Sequence, residues 1–358
     1  NAATLLLLAA VQSLWLMLRV RPSVVLAMGG YVSAPVGVAA FLTRRPLVVH
    51  EQNAIPGMTN RILARLASRV LEAVPGSFVP ARGAMHTGNP VRREIAALAE
   101  RSTTGNPSAE VSSAANLSQN EAADAPLTLL IFGGSQGAQS LNRALPAAIA
   151  GVLAASGAVP AADDKPAGAL NASASASQAM DAAALEPTAN AATRATTRGR
   201  PLKVIHQTGE RNLAEVEAAY AASDVDAEVL PFIENMAEAY ARADLVVARA
   251  GAMSVAEILV AGLPAILIPY PHAVDDHQRA NAAALVEAGA AFCFSDTEIE
   301  SPAFQQTLAS LITDAALRAR MRAAASTLAM PDAAERVAEI IQGLAGVAPS
   351  KRTEGVHG

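Results

Sequence analysis

Short apolar runs alternate with glycine turns and longer stretches along most of the chain. Runs of four to six Val, Leu, Ile and Ala residues are typical of buried parallel strands, and the stretches between them repeat apolar positions at helical spacing. We predict strands over residues 24–28, 47–50, 69–73, 127–132, 202–206, 227–230, 245–248, 265–268 and 290–294, with helices between them and from residue 302 onward. This alternation predicts an α/β fold with doubly wound parallel sheets.

Two segments interrupt the alternation. Residues 97–126 and 157–200 are rich in Ser, Ala, Asn and Thr and have few large apolar side chains, so they cannot bury enough surface to offset the entropy of ordering them. We interpret the first as a low-complexity linker and the second as a disordered surface insertion. The predicted domains are an N-terminal Rossmann-like domain over 1–96 and a C-terminal one over 127–346, followed by a tail over 347–358.

The chain begins with an apolar stretch, residues 2–18, broken only by Gln12 and Ser13. About 17 apolar residues is the lower limit for crossing a bilayer, and neither a basic start nor a small-residue cleavage site marks a signal peptide. We predict a buried helix of the α/β domain. A membrane-surface helix and a membrane span are the alternatives.

Composition and charge narrow the class of protein. The net charge is −5 with no block rich in Lys or Arg, so nothing favours a nucleic-acid-binding face. The single cysteine, Cys293, excludes an intrachain disulfide and a cysteine metal cluster, and it fits a reducing cytoplasm. His272 and His277 could ligate a metal, but no third spaced ligand accompanies them. We therefore predict neither a metal nor another cofactor.

Ligands of doubly wound sheets bind beyond the carboxyl ends of the strands, so the candidate chemistry lies in the loops. Residues 132–138, F-G-G-S-Q-G-A, form either a phosphate site, where glycines let the backbone approach closely, or a tight strand-to-helix turn. Glu257 follows another glycine turn. Its carboxylate could accept both hydroxyls of a ribose, or it could simply be a favourable charge near a helix N-terminus.

Three further segments concentrate polar side chains. Gln278 and Asn281 lie three residues apart on one face of a predicted helix, where they could bind sugar hydroxyls. His50 ends a strand and is either a general base or structural. Arg92 lies at the predicted domain junction and either faces a uracil or phosphate or is solvated.

Together these loops resemble the MurG family of glycosyltransferases. The motifs that carry the resemblance are G-G-Y-V-S at 29–33, H-E-Q-N at 50–53, G-N-P-V-R at 88–92, G-G-S-Q-G-A at 133–138, G-A-M-S-V-A-E at 251–257, and D-H-Q at 276–278 with Asn281. The resemblance implies a GT-B fold, with two Rossmann-like domains facing a cleft. It implies inverting transfer of N-acetylglucosamine from UDP-N-acetylglucosamine to the C4 hydroxyl of undecaprenyl-linked muramyl-pentapeptide in peptidoglycan synthesis. It further implies peripheral attachment to the anionic, cytoplasmic face of the membrane.

The resemblance also assigns roles within the site. The backbone of Ile233 would meet uracil, Glu257 would accept the ribose hydroxyls, and Ser135 with the backbone of 252–254 would hold the diphosphate. Asn53 would contact the donor sugar from the N-terminal domain. The complete set of predicted binding residues is Asn53, Arg92, Ser135, Ile233, Ala252, Met253, Ser254, Val255, Ala256, Glu257, Gln278 and Asn281.

One family feature is missing from the sequence. Members of the family begin with a strand and a loop of the type G-G-T-G-G-H, whose histidine is a leading candidate for the catalytic base, and this sequence lacks that segment. No catalytic base is therefore assigned, and we expect negligible transfer until the segment is restored. The alternatives are a UDP-sugar 2-epimerase of GT-B fold and an inactive nucleotide-sugar-binding fragment.

Overall fold

The structure is a computed structural model that describes residues 2–78, 83–104, 126–134, 138–157, 201–223 and 225–347. Its N-terminal part has four helices and four strands among the described residues. They are α1 (Ala2–Val20), β1 (Val25–Ala27), α2 (Ser33–Leu42), β2 (Leu47–Glu51), α3 (Met58–Leu63), β3 (Arg69–Glu72), β4 (Met85–His86) and α4 (Arg93–Thr104). The strands form one parallel sheet in the order β1-β2-β3-β4.

The C-terminal part is built on a second parallel sheet. Its elements are β5 (Leu127–Phe132), α5 (Gln139–Gly157), β6 (Leu202–Gln207), α6 (Leu213–Ala221), β7 (Asp226–Leu230), α7 (Met236–Arg242), β8 (Leu245–Ala248), α8 (Ala252–Ala261), β9 (Ala265–Leu267), α9 (His277–Glu287), β10 (Ala291–Cys293), α10 (Pro302–Thr313), α11 (Ala315–Leu328) and α12 (Ala333–Ala345). The strand order is β10-β9-β8-β5-β6-β7. The order reverses between β5 and β8, and such a switch point is where doubly wound sheets bind ligands.

The predicted α/β fold with two doubly wound units is confirmed. All nine predicted strands are present, each within one residue of its predicted bounds at either end. The predicted helices between them are present as well, although α3 ends at Leu63, earlier than expected. The short strand β4 was not predicted, since two residues carry too little pattern to be recognised.

Residues 97–104 differ from the sequence prediction, which placed them in a linker. They form the second half of α4, whose Ile95 is fully buried in the apolar cluster around α7 and α8, with Leu98 and Ala99 packed against it. The apolar spacing i, i+3, i+4 of Ile95, Leu98 and Ala99 correctly indicates a helix here, whereas the polar composition of the segment does not. The remainder of the predicted linker up to residue 125, the insertion beyond residue 157 and the tail beyond residue 347 lie outside the described residues.

The prediction that the N-terminal stretch is a buried helix is wrong. It is helical, as α1, but only Ser13 and Met17 among its described side chains are buried, and Leu7, Trp15 and Leu18 are each more than half exposed. Apolar residues occupy every face of this helix, so no single stripe directs it into a core, and only the face with Met17 joins the core cluster of β1, β2 and α2. In the part of the chain that the structure describes, no helix meets the length and hydropathy needed to span a membrane.

Two helices pack across the boundary between the N-terminal and C-terminal parts. Ile95 of α4 packs into the core of the C-terminal part. In the opposite direction, Val337 of α12 packs with Val48 and Leu71 of the N-terminal sheet. Each part therefore buries an apolar helix face contributed by the other, which brings the carboxyl ends of the two sheets to one cleft.

Candidate functional site

The cleft is lined by loops that follow the strands on either side of the switch point. Gly133 and Gly134 follow β5, and Gly134 adopts a positive φ of 97° that favours glycine. After β8, Gly251 is the extended N-cap of α8 and offers no side-chain cap to the first helical turn. The N–H groups of Ala252, Met253 and Ser254 at that turn are therefore suited to an anion.

Glu257 lies in the second turn of α8 and is only 8% exposed. Its Oε1 accepts from Arg92 Nη2 at 3.1 Å and Nε at 3.2 Å, and its Oε2 accepts from the Tyr240 hydroxyl at 3.2 Å and from Arg92 Nη2 at 3.3 Å. Burial, reinforced by the neighbouring carboxylate, raises the pKa of Tyr240 well above its ordinary value, so the hydroxyl stays a donor. Glu257 lies beyond the first turn, so its partners, rather than the helix dipole, account for its position.

The predicted polar loops of the two parts meet through Asn281. Its Oδ1 accepts from the backbone N–H of Ala54 at 2.8 Å, and its Nδ2 donates to Asn53 Oδ1 and to Ala250 O, both at 3.2 Å. Asn281 is buried and both of its N–H groups are used. Asn89 adds a second bridge, since its Nδ2 donates to Gln52 O and to Ala252 O. The structure thus brings Asn53 and Asn281 together, as hydrogen-bond partners of each other.

The loop that carries Asn53 is organised by Glu51, the last residue of β2. Glu51 Oε1 accepts from the backbone N–H of Asn53 at 2.9 Å and from its Nδ2 at 3.2 Å, and Oε2 accepts from Gly57 N and Asn60 Nδ2. Next to it, His50 is fully buried and its Nε2–H donates to Gly88 O at 2.9 Å. Burial lowers the pKa of His50, which keeps the ring neutral. In this position His50 has a structural role, because no substrate could reach it.

Gln278 and the loop before it lie at the end of β9. Gln278 Oε1 accepts from the backbone N–H of Tyr270 at 2.9 Å, and among the described residues no acceptor takes its side-chain N–H groups. This leaves them for a ligand. His272 and His277 belong to the same segment, and within the described ranges no three His, Cys, Asp or Glu side chains group so as to hold a metal ion.

The remaining predicted residues divide into three cases. Ile233 is buried, its N–H donates to the Gln207 side chain, and a cavity of about 160 Å³ lies beside it. The Val255 side chain is in the core and its N–H bonds Gly251 O, so it offers no group to a ligand. Ala256 is packed against the same core. Ser135 lies outside the described residues, and its role stays a prediction.

Arg249 is a site residue that the sequence reasoning did not single out. It is buried, pairs with Asp296, donates to Ser140 Oγ at 2.7 Å, and donates to the carbonyls of Ile268 and Pro269. It therefore joins the start of α5 to the loops after β8 and β9. The available signal was an arginine directly after a buried strand, a position at which a charge requires partners.

Comparisons with known proteins agree with this geometry. Residues 1–72 match the glycosyltransferase family 28 N-terminal domain, and residues 168–337 match the corresponding C-terminal domain. The UDP-N-acetylglucosamine–N-acetylmuramyl-(pentapeptide) pyrophosphoryl-undecaprenol N-acetylglucosamine transferase of Nitrosococcus oceani is 43% identical over 334 residues, which are 93% of this chain and 77% of that protein. The crystal structure of Acinetobacter baumannii MurG superimposes with a TM-score of 0.67 at 32% identity, covering 96% of this chain and 81% of that one.

A likeness to epimerases is limited to the fold. The UDP-GlcNAc 2-epimerase of Neisseria meningitidis has a TM-score of 0.56 but only 10% identity, over 96% of this chain and 82% of that one. The shared architecture explains why the sequence alone left an epimerase as an alternative, and identity of this size does not extend to activity. With the much higher identity to the transferases over most of its length, the chain belongs to the MurG family of N-acetylglucosaminyltransferases, within glycosyltransferase family 28.

Proposed function

We propose that this chain transfers N-acetylglucosamine from UDP-N-acetylglucosamine to the lipid-linked muramyl-pentapeptide precursor of peptidoglycan. The observation that carries the proposal is the buried carboxylate of Glu257 beside the uncapped first turn of α8, at the switch point of the sheet. A carboxylate there suits ribose hydroxyls, and the free N–H groups suit a diphosphate. Family membership supports the same assignment.

Ribose binding requires that Glu257 can exchange partners. Arg92 now donates to both carboxylate oxygens, and its side chain is 52% exposed against 11% for Glu257, so the guanidinium can turn into solvent when a ligand takes its place. The buried hydroxyl of Tyr240 holds Oε2 from the other side. A ribose can therefore displace or share the place of Arg92 while Tyr240 keeps the carboxylate oriented.

The proposed reaction is an inverting displacement. The C4 hydroxyl of the muramyl sugar attacks the anomeric carbon, the bond to the β-phosphate oxygen breaks, and UDP leaves with the electron pair, while the hydroxyl proton passes to a general base for which no residue is assigned. The N-terminus of α8 offsets the negative charge that develops on the leaving diphosphate. In the proposed reaction, Asn53 and the N–H groups of Gln278 would bind the donor sugar from the two parts of the chain and hold its anomeric carbon toward the acceptor.

The test is transfer of radiolabelled N-acetylglucosamine from UDP-N-acetylglucosamine to a lipid-linked muramyl-pentapeptide analogue, measured for this chain and for the chain extended by the family's G-G-T-G-G-H-type loop. Labelled lipid that requires both substrates supports the proposal. Conversion of the donor to its 2-epimer without acceptor would indicate the epimerase alternative. Donor binding without either reaction in both chains would indicate a nucleotide-sugar-binding protein.

The proposal also includes reversible attachment of the chain to a membrane surface. The exposed leucines of α1 lie beside the carboxyl end of α2, and Leu14, Leu18, Leu42, Arg21 and Arg45 border a cavity of about 400 Å³. Exposed apolar side chains with neighbouring cations favour reversible binding to anionic lipid, at about 1 kcal/mol per charge near the surface. Co-sedimentation with anionic vesicles should be strong at low salt and weak at high salt. Retention that is insensitive to salt would contradict a peripheral, electrostatic mode.

A further inference from the structure

Gln207 lies between the two ends of the proposed nucleotide site. It is the last residue of β6, in register with Phe132 at the end of β5 on one side and with Leu230 at the end of β7 on the other. The strands on either side of β6 are roughly 9–10 Å apart, given the usual spacing of neighbouring strands. The loops that follow them are therefore too far apart to touch directly at this level of the sheet.

The Gln207 carboxamide spans this gap with both of its functional groups. Its Nε2 donates to the carbonyl of Gly134, two residues beyond β5, at 2.8 Å, and its Oε1 accepts from the N–H of Ile233, three residues beyond β7, at 3.3 Å. The residue is only 4% exposed, so these bonds do not compete with bulk water. One side chain thus joins the glycine loop to the turn that carries Ile233.

A carboxamide is well suited to this place, because it offers a donor and an acceptor on one planar group. A hydrophobic residue of similar size would leave the buried Ile233 N–H and the part-buried Gly134 carbonyl without partners, which is costly. The flanking residues have other partners: His206 bonds Asn142 and Tyr220, and Thr208 bonds the carbonyls of Gly209 and Leu230. Within the part that the structure describes, Gln207 is the side chain that links these two loops.

We propose that Gln207 is a positioning residue that sets the distance between the base end and the diphosphate end of the nucleotide site. This inference rests on the proposed function, in which the turn at Ile233 meets uracil and the loop after β5 meets the diphosphate. Gln207 contacts neither part of the ligand in this role. It acts by keeping two separate binding elements at the spacing of one nucleoside diphosphate, so that both can be engaged together.

The experiment compares uridine, which engages the base end alone, with UDP, which engages both ends. The affinities of the full chain are measured by NMR titration for uridine and by calorimetry for UDP, alongside thermal unfolding. In Gln207→Leu the preference for UDP over uridine should fall about tenfold, the value expected for the loss of two hydrogen bonds, with uridine affinity changed less than threefold. A merely structural defect would weaken both ligands equally and leave their ratio unchanged.

A second variant and a matched control keep the result interpretable if Gln207→Leu folds poorly. Gln207→Glu retains the acceptor for Ile233 N–H but cannot donate to Gly134 O, so UDP should weaken while uridine keeps its affinity. Gln305→Leu, at an exposed glutamine of α10, should change neither ligand. A wild-type UDP-to-uridine ratio in both Gln207 variants would overturn the inference. A wild-type chain that bound neither ligand would contradict the proposed function itself, and the inference with it.

Discussion

Two buried glutamates stand on opposite sides of the cleft and differ in the kind of partner they have. Glu51 accepts four hydrogen bonds, all from uncharged N–H groups of Asn53, Gly57 and Asn60 within its own part of the chain. Glu257 accepts from a half-exposed arginine of the other part and from one buried tyrosine. All four hydrogen bonds to Glu51 come from one loop of its own part of the chain. Glu257 instead has one fixed partner, Tyr240, and one partner, Arg92, that can move away.

This difference indicates that the Glu51 carboxylate stabilises its loop, whereas the Glu257 carboxylate can bind a ligand. Hydrogen bonds to a charged group contribute about 1.5–3 kcal/mol when the partners are held in place. The Arg92 guanidinium is half exposed, so it can regain contact with water when a ligand replaces it at the carboxylate. The two side chains are similarly buried, so the extent of burial does not distinguish Glu51 from Glu257. Substitutions of the two glutamates and of their partners test this difference, and the largest effect is expected at Glu51.

Replacing the saturated carboxylate should mainly affect stability. Glu51→Ala leaves the side-chain N–H2 of Asn60 and the backbone N–H groups of Asn53 and Gly57 without their acceptor, so the free energy of unfolding should fall by about 3–5 kcal/mol. Chemical denaturation measures this loss. The control is Glu217→Ala, an exposed glutamate of α6, which should change stability by less than about 0.5 kcal/mol. A loss below about 1 kcal/mol in Glu51→Ala would show that the loop does not depend on its carboxylate.

Replacing the exchangeable carboxylate should mainly affect donor binding. Glu257→Ala removes the proposed acceptor of the ribose hydroxyls, so affinity for UDP-N-acetylglucosamine should fall roughly 10- to 150-fold, equivalent to about 1.5–3 kcal/mol. Calorimetry on the purified chain measures the affinity, with Glu217→Ala again as the control. Unchanged affinity would refute the assignment of Glu257. A stability loss as large as that of Glu51→Ala would remove the distinction between the two residues.

The sequence predicted the framework of this cleft better than its interactions. Apolar runs located β5 and β8 at Leu127–Phe132 and Leu245–Ala248, and glycine turns located the loops that follow them. The polar side chains that follow β8 and β9 singled out Glu257 of α8 and Asn281 of α9, and the resemblance to a family then assigned Glu257 to the ribose hydroxyls. Their partners, Arg92 and Tyr240 for the one and Ala54 for the other, could not be predicted, because these contacts join residues that are distant in sequence and depend on how the two parts pack.

The two errors have different physical causes. In α4 the helical spacing of Ile95, Leu98 and Ala99 was present, but the polar composition around it received more weight. In α1 apolar residues occupy every face despite Gln12, Ser13 and Arg19, and a helix with no polar face gives no indication of which side packs. Periodicity therefore predicts burial only where apolar and polar positions are separated, which α4 satisfies and α1 does not.

The hydrogen bond between Asn53 and Asn281 connects the loop built by Glu51 to the donor side. A double-mutant cycle with Asn53→Ala and Asn281→Ala should give a coupling free energy of about 1 kcal/mol in unfolding experiments, as expected for neighbours that share one hydrogen bond. The control cycle pairs Asn53→Ala with Asn142→Ala, whose partners are His206 and Thr208, and should show no coupling beyond about 0.3–0.5 kcal/mol. Equal coupling in the two cycles would mean that the direct contact contributes nothing.

The smallest expected effect concerns Tyr240, which holds Glu257 without touching the ligand in the proposed arrangement. Tyr240→Phe removes the hydroxyl that donates to Glu257 Oε2, so the carboxylate loses its fixed orientation and affinity for UDP-N-acetylglucosamine should fall about threefold. Because this effect passes through the carboxylate, adding Tyr240→Phe to Glu257→Ala should produce no further loss of affinity.

Tyr220→Phe provides the matched control for Tyr240→Phe. Tyr220 is an equally buried tyrosine of the same part of the chain, and its hydroxyl bonds His206 Nδ1 instead of a carboxylate of the site. Both variants lose one buried hydrogen bond, so their free energies of unfolding should fall by similar amounts, about 0.5–1.5 kcal/mol. Only Tyr240→Phe should weaken donor binding, as calorimetry would measure. If both variants weakened donor binding equally, the effect would come from the stability of the sheet rather than from the orientation of Glu257. In that case the partner of Glu257 would have no special effect on ligand binding, and the distinction between Glu257 and Glu51 would not hold.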